Sequence, residues 1–161
     1  MAVPVHLILK DDGGSQIMGS CDVQGRDGSI ELRSLHHSLT IPTDHLTGKV
    51  TGTRQHAPFS FTKEIDTSSP YLFKAVATGQ TLKTAEFKFY QINYAGQEEE
   101  YYNILLENVK VVSVSPVMHD TRTAIGTGHM EDVALSYEKI THLHKHGNIQ
   151  HSDAWNEKKQ A

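Results

Sequence analysis

The sequence predicts a mainly β fold: an antiparallel β-barrel of two sheets, with one short α-helix around residues 70–78. Three observations lead there. Apolar and polar residues alternate in several short runs, and Gly-, Asp- and Asn-rich turns separate them. Only one stretch carries the start and stop signals of a helix. The connections between runs are hairpin-like, with no strand–helix–strand alternation, which favours a barrel or sandwich capped by a helix.

The strands can be followed in order. Val3, Val5, Leu7 and Leu9 alternate with Pro4, His6, Ile8 and Lys10, so residues 3–10 read as a first strand. DDGGS (11–15) turns the chain, residues 17–23 form a short second strand, and GRDG (25–28) turns it again. In the next strand Ile30, Leu32, Ser34 and His36 share one face, with Glu31, Arg33, Leu35 and His37 on the other. Residues 43–58, TDHLTGKVTGTRQHAP, show no periodicity. A loop this long within one domain is either functional or disordered.

FSFT (59–62) is a strand, and the helix follows it. Ser69 is the expected N-cap, Pro70 the first helical residue and Gly79 the left-handed C′ residue. Leu72, Ala75 and Val76 make its apolar stripe, so Leu72 and Val76 are the expected helix core. A helix of about three turns cannot stand alone in water and must dock on the sheet. Residues 84–94 and 101–114 form a hairpin about the turn at 95–97, and 117–131 is a second irregular loop. A late strand opens at Val133, Leu135 and Tyr137 and runs to His146, giving about seven strands in all. A charged tail, 156–161, follows. The chain reads as one domain, 1–161.

Composition narrows the function. The net charge is −4, which argues against a nucleic-acid or anionic-membrane binder. No apolar run approaches the roughly 18 residues of a membrane span. The opening lacks the basic and apolar regions of a signal peptide, so synthesis in the cytoplasm is expected. The single Cys21 rules out an intramolecular disulfide framework. An apolar content of 37% is low and points to large polar surfaces, such as oligomer contacts or a wet channel.

No catalytic motif stands out, and neither an enzyme activity nor a cofactor is expected. His142, His144 and His146 alternate and would share one strand face, where they could bind a metal. The plainer reading is a solvated polar face, because no Cys, Asp or Glu lies beside them at ligand spacing. A His-rich metal-binding β-barrel is therefore the alternative function. Glu98, Glu99 and Glu100 form an acidic run beside a hairpin turn. GKVT (48–51) lacks the leading glycine of a phosphate loop, since Thr43 stands there.

The stretch FTKEIDTSSPYLFKAVATGQTL resembles the helix segment of haemolysin-coregulated proteins (Hcp), the inner-tube proteins of the type VI secretion system, a virulence-associated bacterial apparatus. The resemblance extends through MAVPVHLIL, GSIELRSLHHS, GKVTGTRQHAPFSFTKEID, EYYNILLENVKVVSVSP and ALSYEKITHLHKHGNIQHSDAW. It implies a barrel subunit of a homohexameric ring and stacking of rings into a tube. It also implies expulsion by a contractile sheath, a spike-trimer protein at the tip, and small effector proteins held in the lumen. Secretion would go through the apparatus, without a signal peptide. On this reading Ser34, His36 and Ser38 are candidate lumen or cargo-facing residues. Lys49, Thr51 and Arg54 mark a candidate inter-ring loop, with Glu98, Glu99 and Glu100 as its acidic partner patch on a neighbour.

Overall fold

The structure is a computed structural model that describes residues 3–126 and 128–157. Eleven strands and one helix follow in order: β1 His6–Lys10, β2 Gln16–Ile17, β3 Ile30–His36, β4 Leu39–Thr40, β5 Gln55–His56, β6 Phe59–Glu64, α1 Ser69–Thr78, β7 Thr81–Ile92, β8 Glu98–Val117, β9 Met130–Ser136, β10 Lys139–His144 and β11 Ile149–Ala154. Six of them, in the order β7–β1–β3–β6–β9–β8, close an antiparallel barrel through the β8–β9 pairing. β2 adds to β1, and β4 and β5 form a separate two-stranded sheet.

β8 explains the shape. Its 20 residues span roughly 65 Å at the usual rise per residue, more than a barrel wall needs. Its far half closes the barrel against β9, and its near half carries β10 and β11 as a flap. The expected late strand is thus β9 and β10, two successive partners of the same β8 edge, broken at Tyr137 and Glu138. Opposite the break Asn108 takes a positive φ of 53°, and its amide donates to Glu138 Oε2 at 2.7 Å. β11 was not legible as a strand. IQHSDA has little β propensity, and only pairing with β10 holds it extended.

Alternation puts the expected side chains inside: Leu7 and Leu9 from β1, Phe59 and Phe61 from β6, Leu82 and Phe87 from β7 are all buried. Phe59 and Phe87 pack at 4.3 Å between ring centroids. In β3 the two faces are not constant along the strand. A bulge between Leu32 and Ser34 adds a residue, so Ile30 and Leu32 point inward first and Leu35 packs inward after it. His37 then stacks on Phe59, while Ser34 and His36 face out. The second strand shrinks to Gln16–Ile17, and 18–29 is a folded loop.

The helix departs from expectation in two places. Its N-cap is Ser68, one residue earlier than read, with Ser69 first and Pro70 second in the helix. The Ser69 hydroxyl is engaged elsewhere, as described below. Val76 is 37% exposed, and Ala75 rather than Val76 joins Leu72 in the core. The reason is angular. At about 100° per residue, Leu72 and Ala75 lie about 60° apart, and Val76 lies about 70° from their midline. α1 packs against β8 through the Leu72–Ala75 side, which leaves Val76 at the edge of the contact. Gly79 ends the helix in the left-handed region at φ 69°, as the sequence suggests. Lys110 Nζ donates to its carbonyl at 3.0 Å.

Candidate functional site

Three surfaces were expected to carry function, and the structure places each. The first is the outward face of β3. Ser34 and His36 line a shallow depression with Ser60, Thr62, Ser113, Ser115 and Asp132 from β6, β8 and β9. These side chains are short and mostly hydroxyl-bearing, since outward positions on four adjacent strands fall on polar residues. Thr62 Oγ1 donates to Asp132 at 2.6 Å across the β6–β9 pair. Ser38 lies past the end of β3, in the stem of the following segment, where its carbonyl accepts from Ala57 N–H at 3.1 Å. It does not line the depression.

The second surface is the 43–58 segment, which is not structureless. It is the outer part of an arm opened by β4 and closed by β5, with a bridge between Thr43 and Val50. Asp44 Oδ1 accepts from Leu46 N–H at 2.7 Å and caps the tip. Thr51 N–H donates to Pro42 O at 2.9 Å, tying the two sides of the arm. Leu46 at the tip is 96% exposed, and Lys49 is exposed beside it.

Arg54, expected to reach a neighbour, is engaged within the chain. Its guanidinium grips Asp153 through two nitrogens and also donates to the carbonyls of Ala154 and Glu157. Its hydrogen bonds hold the Asp153 carboxyl below the usual carboxylate range despite partial burial, and His56 reinforces the effect.

Beside that pair runs a polar chain that sequence reasoning missed. His37 Nε2 and Tyr137 Oη are 2.7 Å apart, Tyr137 Oη and His56 Nδ1 2.6 Å, and His56 Nε2 and Asp153 Oδ2 2.8 Å. Trp155 stacks on His56 at 5.3 Å between ring centroids. Burial pushes the Tyr137 hydroxyl well above its ordinary pKa, and burial lowers that of His37. The excess of histidine was the only sequence signal, because the partners stand far apart along the chain.

The third surface, Glu98–Glu100, is not a free acidic patch. Glu98 pairs with Arg26, whose guanidinium also covers the Tyr90 ring at 3.8 Å. Glu100 pairs with Lys145 at 3.0 Å, and Glu99 lies 3.3 Å from His146. The run knits the β7–β8 hairpin to the 18–29 loop and to the flap. Within one subunit, Arg54 and each glutamate of this run already have partners.

The three histidines of the alternative reading do not converge. His142 Nδ1 is 2.6 Å from Tyr102 Oη, and His144 Nδ1 is held 2.8 Å from the carbonyl of His146. β10 ends at His144, so His146 sits in the turn. Among the described residues no group of three or more His, Cys, Asp or Glu is placed to hold a metal ion. None of the described helices is long and apolar enough to cross a membrane.

The comparisons with known proteins agree with one another. The family described as "Type VI secretion system effector, Hcp" matches residues 8–144. The "Major exported protein" of Pseudomonas aeruginosa is 34% identical over 141 residues, covering 86% of this chain and 81% of that protein. The structure of the Hcp1 protein from the E. coli EAEC 042 pathovar, in a form carrying tryptophan substitutions, is 66% identical with a TM-score of 0.87. That match covers 96% of this chain and 99% of the other. Secreted protein Hcp3 from Pseudomonas aeruginosa superposes with a TM-score of 0.79 at 26% identity, over 96% of this chain and 99% of the other. The chain belongs to the Hcp family of type VI secretion proteins, structural tube subunits that assemble as rings and are exported rather than enzymes.

Proposed function

We propose that six copies of this chain close into a ring and that the rings stack into a tube expelled by a contracting sheath. A spike-trimer protein sits at its tip, and small effector proteins travel in its lumen. The observation that carries this reading is the outward face of β3, β6, β9 and β8. A wall that passes different proteins must be wet and must not adhere to any one of them. Ser34, His36, Ser60, Thr62, Ser113, Ser115 and Asp132 give such a wall: mostly hydroxyls, with Leu35, Phe61 and Val133 between them packed toward the core.

The arm suits the contact between rings. Its stem is fixed by Arg54, and its tip offers exposed Leu46 and Val50 beside Lys49 and Thr51. A head-to-tail contact that closes makes a ring, and a further contact of another kind stacks the rings. The test is His36→Glu. On this reading rings remain intact and effector retention changes. Rings that fall apart on this substitution would place His36 at a subunit seam and overturn the lumen assignment.

A further inference from the structure

The chain His37–Tyr137–His56–Asp153 joins four separate parts of the fold: the end of β3, the β9–β10 break, β5 at the base of the arm, and β11. Its interior is buried. Tyr137 is 3% exposed and the His56 side chain 2%. Hydrogen bonds in such a place must be matched donor to acceptor.

His56 Nε2 faces a carboxylate and must carry a proton. With His56 neutral, its Nδ1 is an acceptor and takes the Tyr137 O–H. The Tyr137 oxygen then accepts from His37 Nε2–H, and all three contacts are satisfied. One added proton can also be accommodated. If His56 becomes a cation, its Nδ1–H donates to Tyr137, whose O–H turns to His37 Nε2, and His37 shifts its own proton to Nδ1. A second added proton cannot. With both rings cationic, two N–H groups point at one phenol oxygen, and the Tyr137 O–H loses its partner in a buried site.

We infer that this relay is an acid-release lock on the arm, one that tolerates a single proton and opens with the second. The charged groups around it divide by sign: the histidines and Arg54 oppose further protonation, and the Asp153 and Glu157 carboxylates favour it. Beyond burial, His142 from β10, His56 itself and the neighbouring His36 oppose the charging of His37 electrostatically. Arg54, beside His56, shares Asp153 with it and adds positive charge to the same place. Asp153 is the only carboxylate in the relay; the Arg54 guanidinium beyond it reaches the Glu157 carbonyl. Two imidazolium rings and the Arg54 guanidinium then outnumber the Asp153 and Glu157 carboxylates, and the contact that loses its match is the one that holds β5 at the base of the arm.

For its consequence in a tube the lock rests on the reading of the arm as an inter-ring element, but the lock itself can be tested on the whole protein without that reading. Hydrogen exchange gives protection factors, corrected for intrinsic rates, for amides 50–57 between pH 7.5 and 5.0. We expect wild-type protection to fall about tenfold, the effect of losing one buried hydrogen bond. His37→Gln keeps a partner for Tyr137 but cannot take a proton, so protection there should stay level down to pH 5.0. Tyr137→Phe removes the contested hydroxyl and should give lower protection at pH 7.5 with little further change on acidification. Trp155 is the sole tryptophan and stacks on His56, so its fluorescence reports the ring independently. Protection that is flat with pH in the wild type overturns the lock, as does a fall that persists unchanged in both variants. If the lock holds but acid leaves stacked rings intact, only the inter-ring reading of the arm fails.

Discussion

Lys63 and Glu131 face each other directly in the β6–β9 register, and both side chains point into the barrel, where they form a buried ion pair. Lys63 is 0% exposed and Glu131 2%. The ammonium also donates to Asp66 Oδ1 and to Glu64 O, each at 3.0 Å, and Glu131 accepts from Ser69 Oγ at 2.8 Å. Ser69 in turn accepts from Asp66 N–H. The first turn of α1 is therefore fastened to the barrel through this charge cluster, which is why the Ser69 hydroxyl does not cap the helix.

Breaking this pair on one side should be costly, because it strands a buried charge. Glu131→Gln is expected to destabilise by about 3–5 kcal/mol. For a chain of this size that lowers Tm by about 2–4 °C per kcal/mol. Urea unfolding of the single variant measures it, and a loss below about 1 kcal/mol would contradict the role given to the pair.

Stability should fall with acid in two windows. Burial lowers the pKa of His6, His37 and His142, so the unfolded chain takes up protons first. Their contribution is complete above the unfolded value of about 6.5 and declines as pH drops through it. For Asp66, burial pushes the carboxyl up, but hydrogen bonds from Ser68 and Lys63 outweigh it and hold it low; for Asp153, the bonds from Arg54 do the same. Their contribution is present above the unfolded value of about 3.9 and is lost as pH falls further. Tm measured from pH 8 to 3 should decline in both ranges, and a curve level from pH 7 to 5 would contradict the histidine part.

Leu72 and Val76 should behave differently although both looked like core. Leu72→Ala is expected to cost about 2–5 kcal/mol. Val76→Ser, at an exposed position, should stay within about 0.5 kcal/mol for the isolated subunit. Equal losses at the two sites would mean that α1 packs differently.

Shortening the arm tip by replacing residues 44–51 with a Gly-Ser link spares Arg54 and His56. Melting should remain near normal, while ring stacking and secretion are lost. Secretion at the wild-type level would remove the arm from the account.

What could be read from the sequence was local. Pro70 and Gly79 bracket the helix because their backbone limits act at their own positions, and alternation gave the faces of β1 and β6. Lys63 could have been noticed, since it continues the inward parity of Phe59 and Phe61. Glu131 fell in a segment read as loop, so the charge partner was hidden. The β3 bulge and the β9–β10 break shift parity by features that periodicity does not mark. The His37–Tyr137–His56–Asp153 relay joins residues 81 to 100 positions apart. Only the closed barrel brings them together, and no short-range pattern announces it.

The most direct test of the central claim is electron microscopy of the purified, untagged protein at micromolar concentration, with particle averages examined for symmetry. Sixfold rings with an open centre, some of them stacked, are the expected particles. Compact particles the size of a single barrel, with no central opening, would contradict it.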